Sequence, residues 1–302
     1  MRKAHSLEKS QHIFGYLMII PALLFFVIFV VYPSLDAVGL SLCFWHGYGE
    51  RVFVGLQNYI NLFHDPVFWL AFKNNIIFVI ATTILQTLIP MVLAVMLVKN
   101  SFLNTFFRVS YFVPNVISFI ITGSLWAMIF EPNFGLLNTI LQNLGLETWK
   151  QLWLADPKWA FPCIIFVSLW QSMGFYLVIF YAGLQGIPEE VYEAASVDGA
   201  DSLRKFLFIT VPLLRPVTTV VIIINVIGGF KVFDLIWAMT TGGPNHATEV
   251  MATYLYTLAF GSIGTGTPHM GYAAAIGIMI LIFSVLASVV QLWVREADTL
   301  EY

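Results

Sequence analysis

Six stretches of the chain are apolar over about twenty residues or more, at about 13–35, 72–98, 108–130, 160–184, 212–238 and 272–294. About 20 apolar residues in a helix cross the hydrocarbon core of a bilayer. The pattern therefore predicts an all-α, polytopic membrane protein with six transmembrane helices in a single domain over 1–302. Pro21, Pro90 and Pro114 fall inside these runs and are expected to kink or break them, with neighbouring helices or water satisfying the freed carbonyls. Ala182 and Gly186, and Ala273 and Gly277, are small residues four apart, a spacing that permits close helix contact. The first run is long and lacks a small-x-small cleavage site, so it reads as a retained span rather than a signal peptide.

The polar segments between the runs are unequal. One of them, 186–212, carries a concentrated acidic stretch, Glu189-Glu190-Val191-Tyr192-Glu193-Ala194-Ala195-Ser196-Val197-Asp198-Gly199-Ala200-Asp201. Lys and Arg mark its side of the membrane. With the N-terminus inside, Arg2, Lys3, Lys9, Lys99, Arg108, Arg204, Lys205, Arg215 and Arg295 collect on the inner side, and Arg51, Lys150 and Lys158 on the outer. The segment 239–271 has no Lys or Arg and reads as an outer loop. Both termini and the acidic stretch are then cytoplasmic. Outer-loop aromatics such as Trp45, Tyr48, Tyr59, Trp69, Trp149, Trp153 and Trp159 suit interfacial anchors.

Composition sharpens this picture. Of 302 residues, 59% are hydrophobic and 10% charged, against roughly 25% charged in a soluble domain. A net charge of -3 gives no reason to expect a nucleic-acid partner. Cys43 and Cys163 form no CxxC pair and read as buried thiols.

The acidic stretch has its own local logic. Pro188 suits the first turn of a helix, and Glu189 and Glu190 favour its positive end. Tyr192, Ala195 and Gly199 share one smaller face, Gly199 is a natural terminator, and Asp201 can cap a second helix over 202–208. An interfacial amphipathic loop and a docking element both fit these residues.

Enzymatic chemistry finds little support. There is no GxxxxGK[ST] phosphate loop, no HExxH and no GxSxG. Gly261 to Thr267 is Gly-rich without a lysine and reads as a flexible outer loop. His5, His12, His46, His64, His246 and His269 are scattered without ligand spacing, so no metal is expected.

Glu193-Ala194-Ala195, then Gly199, then Ile209-Thr210-Val211-Pro212, resembles the EAA loop of binding-protein-dependent ABC transporter permeases, with Val211 a mild departure from that pattern. Phe53-Val54-Gly55-Leu56-Gln57-Asn58-Tyr59, His64-Asp65-Pro66-Val67-Phe68-Trp69, Phe134-Gly135-Leu136-Leu137-Asn138, Asp198-Gly199-Ala200 and Thr241-Gly242-Gly243-Pro244 resemble its sugar-permease subfamily, the maltose and glycerol-3-phosphate type. The resemblance implies a type I importer permease in a prokaryotic inner membrane. It implies a coupling helix seated on a cytoplasmic ATPase, with Tyr192, Glu193, Ala194, Ala195, Asp198, Gly199 and Ala200 as coupling residues. Glu193 would supply the polar contact, Ala194 and Ala195 close approach, and Gly199 the turn. It further implies a second homologous permease, two copies of the ATPase, an extracytoplasmic solute-binding protein, and ATP and magnesium used by those partner subunits. No cofactor is expected in this chain, which is read as a permease and not an enzyme.

For the path itself, Ser168, Gln171, Ser172 and Phe175 give the fourth run hydroxyl, amide and aromatic surfaces that suit a sugar, or that glue helices together. Asn225, Gly229, Lys231 and Asp234 lie near the end of the fifth. Lys231 and Asp234, three apart on one expected helix face, are expected to pair. The scarcity of intramembrane carboxylates argues against an autonomous proton-coupled transporter. The lack of arginine inside the spans, except near their ends, favours an uncharged sugar over glycerol-3-phosphate or another solute.

Overall fold

The computed structural model describes residues 16–98, 101–261 and 267–299. Arg2, Lys3, Lys9, His5, His12, Lys99 and most of the Gly-rich stretch after Gly261 lie outside the described residues. Four helices there are long and apolar enough to cross a membrane: α1 (Tyr16–Ser41), α3 (Pro66–Met96), α7 (Pro157–Gln185) and the Met270–Gln291 part of α13 (Met270–Thr299). Two bent pairs bring the number of candidate spans to six: α4 (Phe102–Val116) with α5 (Phe119–Ile129), at 98°, and α9 (Ser202–Leu213) with α10 (Arg215–Phe230), at 69°. Shorter helices are α2 (Gln57–Phe63), α6 (Leu136–Asn143), α8 (Glu189–Val197), α11 (Asp234–Thr240) and α12 (Met251–Phe260).

The chain clusters into two compact units. One comprises Met1–His64 and Tyr256–Ile278. Within it a two-stranded antiparallel ribbon pairs β1 (Cys43–Phe44) with β2 (Val52–Phe53) after α1. Asn58 explains the motif around it: its side-chain amide donates to the carbonyls of Ser41 (2.8 Å) and Cys43 (2.9 Å), tying the end of α1 to α2. Ser41 and Tyr59 share a hydroxyl hydrogen bond at 2.7 Å. Gly55 makes the turn between them at φ +61.

The second unit, Asp65–Leu255 with Met279–Tyr302, holds the helices that matter most for function. Asp65 caps α3 by accepting from Val67 N at 2.9 Å. Asp156 caps α7 by accepting from Lys158 N at 2.9 Å. Phe78, Phe161, Ile164, Val167, Leu235 and Ile236 form one buried cluster, and Met91, Tyr176, Phe180, Leu214 and Val221 another. Lipid tails are as apolar as these side chains, so close packing rather than escape from water holds the helices together. Gly174 marks a close approach of two helices: a Cβ there would lie 2.2 Å from the Tyr111 carbonyl oxygen, so α7 and α4 touch backbone to backbone. Gly183 makes room for side chains instead: a Cβ there would lie 2.8 Å from a Val217 methyl group and 3.0 Å from one of Leu214.

The break expected at Pro114 is present: Pro114 lies one turn before Ile117, where the backbone turns extended (ψ 140). Three expectations change. α3 runs through Pro90 without interruption. The 212–238 run ends its first helix at Phe230, and the segment read as an outer loop at 239–271 contains α12. The turn before α12 folds over a buried Glu249, whose carboxylate accepts from Thr253 Oγ1 at 2.6 Å and from His246 Nδ1 at 2.9 Å. Gly242, at φ +87, leaves no room for a Cβ beside that carboxylate. This gives the Thr241-Gly242-Gly243-Pro244 motif a structural reason.

Candidate functional site

Two features of the second unit stand out: a cavity among α3, α4, α5, α7, α10 and α11, and the exposed helix α8.

The cavity holds about 430 Å³, within the roughly 300–1,000 Å³ range of small-molecule sites. α3 contributes Phe78, Thr82 and Gln86 at helical spacing, and the broken α4–α5 pair contributes Asn115 and Phe119. α7 adds Ser168, Ser172, Phe175 and Tyr176. α10 adds Ile224, Asn225, Gly228 and Gly229, and the connection to α11 adds Lys231, Val232, Phe233 and Asp234. Ser168, Ser172, Phe175, Asn225, Gly229, Lys231 and Asp234 thus line one cavity. Gln171 does not line the cavity. It is 1% exposed and donates from Nε2 to the Ile117 carbonyl at 2.8 Å, filling the hydrogen bond that the α4–α5 break removes.

Lys231 and Asp234 are also not a helical pair. α10 stops at Phe230, Lys231 N closes its last turn on the Gly228 carbonyl at 3.1 Å, and Phe233 (φ -140, ψ -62) redirects the chain before Asp234 opens α11. The expected face is therefore lost, and the two are not ion-paired among the described residues. Both side chains are exposed to the cavity.

Sequence reading missed Thr82, Gln86 and Asn115. Gln86 donates to Ser168 Oγ at 3.1 Å, while Thr82 Oγ1 turns back to the Phe78 carbonyl at 2.7 Å. The i, i+4 spacing of Thr82 and Gln86 within a long apolar run was the available signal. Next to the cavity, Asn75 Nδ2 donates to the Gly229 carbonyl at 3.0 Å and its Oδ1 accepts from Met251 N at 2.8 Å. Asn74 donates to the carbonyls of Ala247 (3.2 Å) and Glu249 (2.9 Å).

α8 ends in a complete Schellman motif. Ala200 N donates to the Ala195 carbonyl at 2.9 Å and Gly199 N to the Ser196 carbonyl at 3.1 Å, with Gly199 at φ +80. Asp201 then caps α9 by accepting from Arg204 N at 2.8 Å. Tyr192 and Thr210 share a hydroxyl hydrogen bond at 3.1 Å, and Lys205 Nζ donates to Ser196 Oγ at 2.5 Å, so α8 is fastened along α9. Ala195 is buried on this inner side. It is therefore turned away from any outside partner, unlike the close-approach position expected for it. Glu193, Ala194, Val197 and Asp198 face outward, Val197 with 88% of its surface exposed.

Residues 86–297 match the family model described as the binding-protein-dependent transport system inner membrane component. The chain belongs to that family. This inner membrane component is 38% identical over 286 residues to a probable ABC transporter permease protein, YurN, of Bacillus subtilis (strain 168), covering 94% of this chain and 96% of that protein. It is 33% identical to the lactose transport system permease protein LacF of Rhizobium radiobacter, covering 95% and 96% of the two chains. A chain of a bacterial alginate ABC transporter, solved in complex with an alginate pentasaccharide-bound periplasmic protein, shares its fold with a TM-score of 0.81 at 23% identity, covering 94% of each chain. The helices that the family model spans include α8 and every cavity-lining element from Gln86 onward.

Proposed function

We propose that this inner membrane component is the transmembrane permease subunit of an ATP-driven sugar importer. It forms the translocation path with a second homologous permease. It takes its solute from an extracytoplasmic binding protein and couples through α8 to two copies of a cytoplasmic ATPase, which use the ATP and magnesium. Both termini are cytoplasmic in this reading, and the whole of 1–302 acts as one permease domain. The relatives named for lactose, arabinooligosaccharide and trehalose/maltose transport support the solute class.

The observation that carries the coupling role is α8 itself. Its inner side is pinned to α9 through Tyr192 and Ser196, while Glu193, Ala194 and Val197 are left facing outward. A short helix with small, apolar and carboxylate groups on its free side can sink into a groove and be oriented there by one charge-assisted hydrogen bond. Force applied to it passes into α9 and α10, and α10 ends at the cavity. The cavity's mix of hydroxyls, amides and aromatic rings suits a sugar, hydroxyls taking hydrogen bonds and the C–H face stacking on Phe175 or Phe119. In an alternating-access cycle, ATP and solute would bias the same two-state element from opposite ends.

The test is purification of the tagged chain under gentle solubilisation, beside Glu193→Ala. The expected outcome is recovery of a second permease and an ATPase subunit, with the ATPase weakened and sugar uptake reduced by the substitution. Recovery of the chain alone, with Glu193→Ala transporting normally, would overturn the reading.

A further inference from the structure

The geometry points to Lys231 and Asp234 as a charge-compensated specificity pair, which selects solutes without net charge by engaging their hydroxyl groups from both sides. This deepens the proposed sugar-importer function and rests on that reading of the cavity.

The inference starts from cost. Lys231 and Asp234 lie just beyond Phe230, where the fifth candidate span ends, but both line the cavity among the helices, and a charge facing such a cavity without a partner is costly and marks a functional position. Lys231 and Asp234 are close in sequence, of opposite sign, and free to form an i, i+3 pair had α10 continued. The chain instead breaks between them, and each side chain opens separately to the same cavity. No hydrogen bond or ion pair engages either side chain among the described residues, although Ser168, Gln86 and Asn225 in the same cavity are each held by a neighbour.

Two free charges of opposite sign in one cavity have a definite selectivity. An ammonium donates and a carboxylate accepts, so a hydroxyl-rich neutral solute satisfies both. A solute bearing a carboxylate or phosphate gains at Lys231 and is repelled at Asp234. A cationic solute meets the reverse. The absence of an arginine is then not what excludes glycerol phosphates; the second member of the pair is.

The experiment uses the full transporter, assembled with its partner subunits in nanodiscs but without binding protein, so that only the membrane subunits select. Lactose and maltose are titrated against their aldonic acids, lactobionate and maltobionate, by calorimetry. Wild type is expected to bind a neutral disaccharide and disfavour its acid by about tenfold or more, the scale of a charge-assisted hydrogen bond gained or lost. Asp234→Asn should narrow that gap about tenfold. Lys231→Gln should weaken the neutral sugar about tenfold and widen the gap, with subunit assembly unchanged in both. If wild type binds the neutral sugars and neither variant alters the discrimination, this inference falls alone. An outcome in which only the charge swap Lys231→Asp with Asp234→Lys restores assembly lost in the single variants also overturns it, because the pair would then be structural. If wild type binds none of the four, this inference falls, while the sugar-importer reading still stands or falls on the co-purification and uptake test above.

Discussion

The side-chain amide of Gln171 donates to the main-chain carbonyl of Ile117 at 2.8 Å, so a residue of one span satisfies the break in another. Replacement by Leu leaves that part-buried carbonyl without this donor. The expected cost is about 1–3 kcal/mol, seen as a lowered Tm of the detergent-solubilised protein. Unchanged Tm would mean the break is held by other contacts.

Gly174 touches the backbone of α4, and Gly228 opens onto empty space. Gly174→Ala must force α4 and α7 apart, an overpacking cost of about 1–3 kcal/mol. Gly228→Ala should leave stability within about 0.5 kcal/mol of wild type or raise it slightly, because Ala is the better helix former. Thermal unfolding of the two variants side by side tests the contrast, which equal effects would abolish.

At Gly199 the obstacle is backbone conformation rather than space. The residue sits at φ +80 with nothing within 4 Å of a Cβ. Gly199→Val should cost about 1–2 kcal/mol or more, while Gly199→Asn, which tolerates left-handed backbone, should cost less. Hydrogen exchange across 189–201 is expected to rise in the Val variant first, with uptake falling in the same order.

Acid stability should register Glu131. Its carboxylate accepts from the backbone of Phe134 at 2.6 Å and of Asn133 at 2.7 Å, and these bonds, that to Phe134 foremost, hold its pKa below the ordinary carboxylate value. A depressed folded-state pKa gives stability that is present above the unfolded value, about 4.3, and lost as pH falls through the folded one. Glu131→Gln should therefore lose stability at neutral pH and flatten the decline below about pH 4.5. A parallel decline in both proteins would remove Glu131 from the account.

Much of this molecule was legible in the chain. Length and polarity of the apolar runs located the spans, because a bilayer sets their length so strictly. The turn after α8 was legible too, since Gly199 and Asp201 act through their immediate neighbours. What escaped was set by tertiary contact. Pro90 and Pro114 look alike in sequence, yet α3 passes through the first and α4 ends just beyond the second. Lys231 and Asp234 have the spacing of a helical pair, and only the turn at Phe233 separates them. Gln171 shares a face with Ser168 and Ser172 in a helical projection, but the break at Ile117 claims it. Ala194 and Ala195 are equivalent as letters, while Tyr192 and Thr210 decide which of them faces out.

Asn75 holds the Gly229 carbonyl and the Met251 amide with one side chain. The segment bearing Lys231 and Asp234 is thereby anchored at both ends, like a cassette clipped into a frame. A lineage could exchange the residues between those two clips, and so the solutes admitted, while every span keeps its place. The same asparagine would be the hardest residue in the neighbourhood to replace, though it need never meet a solute.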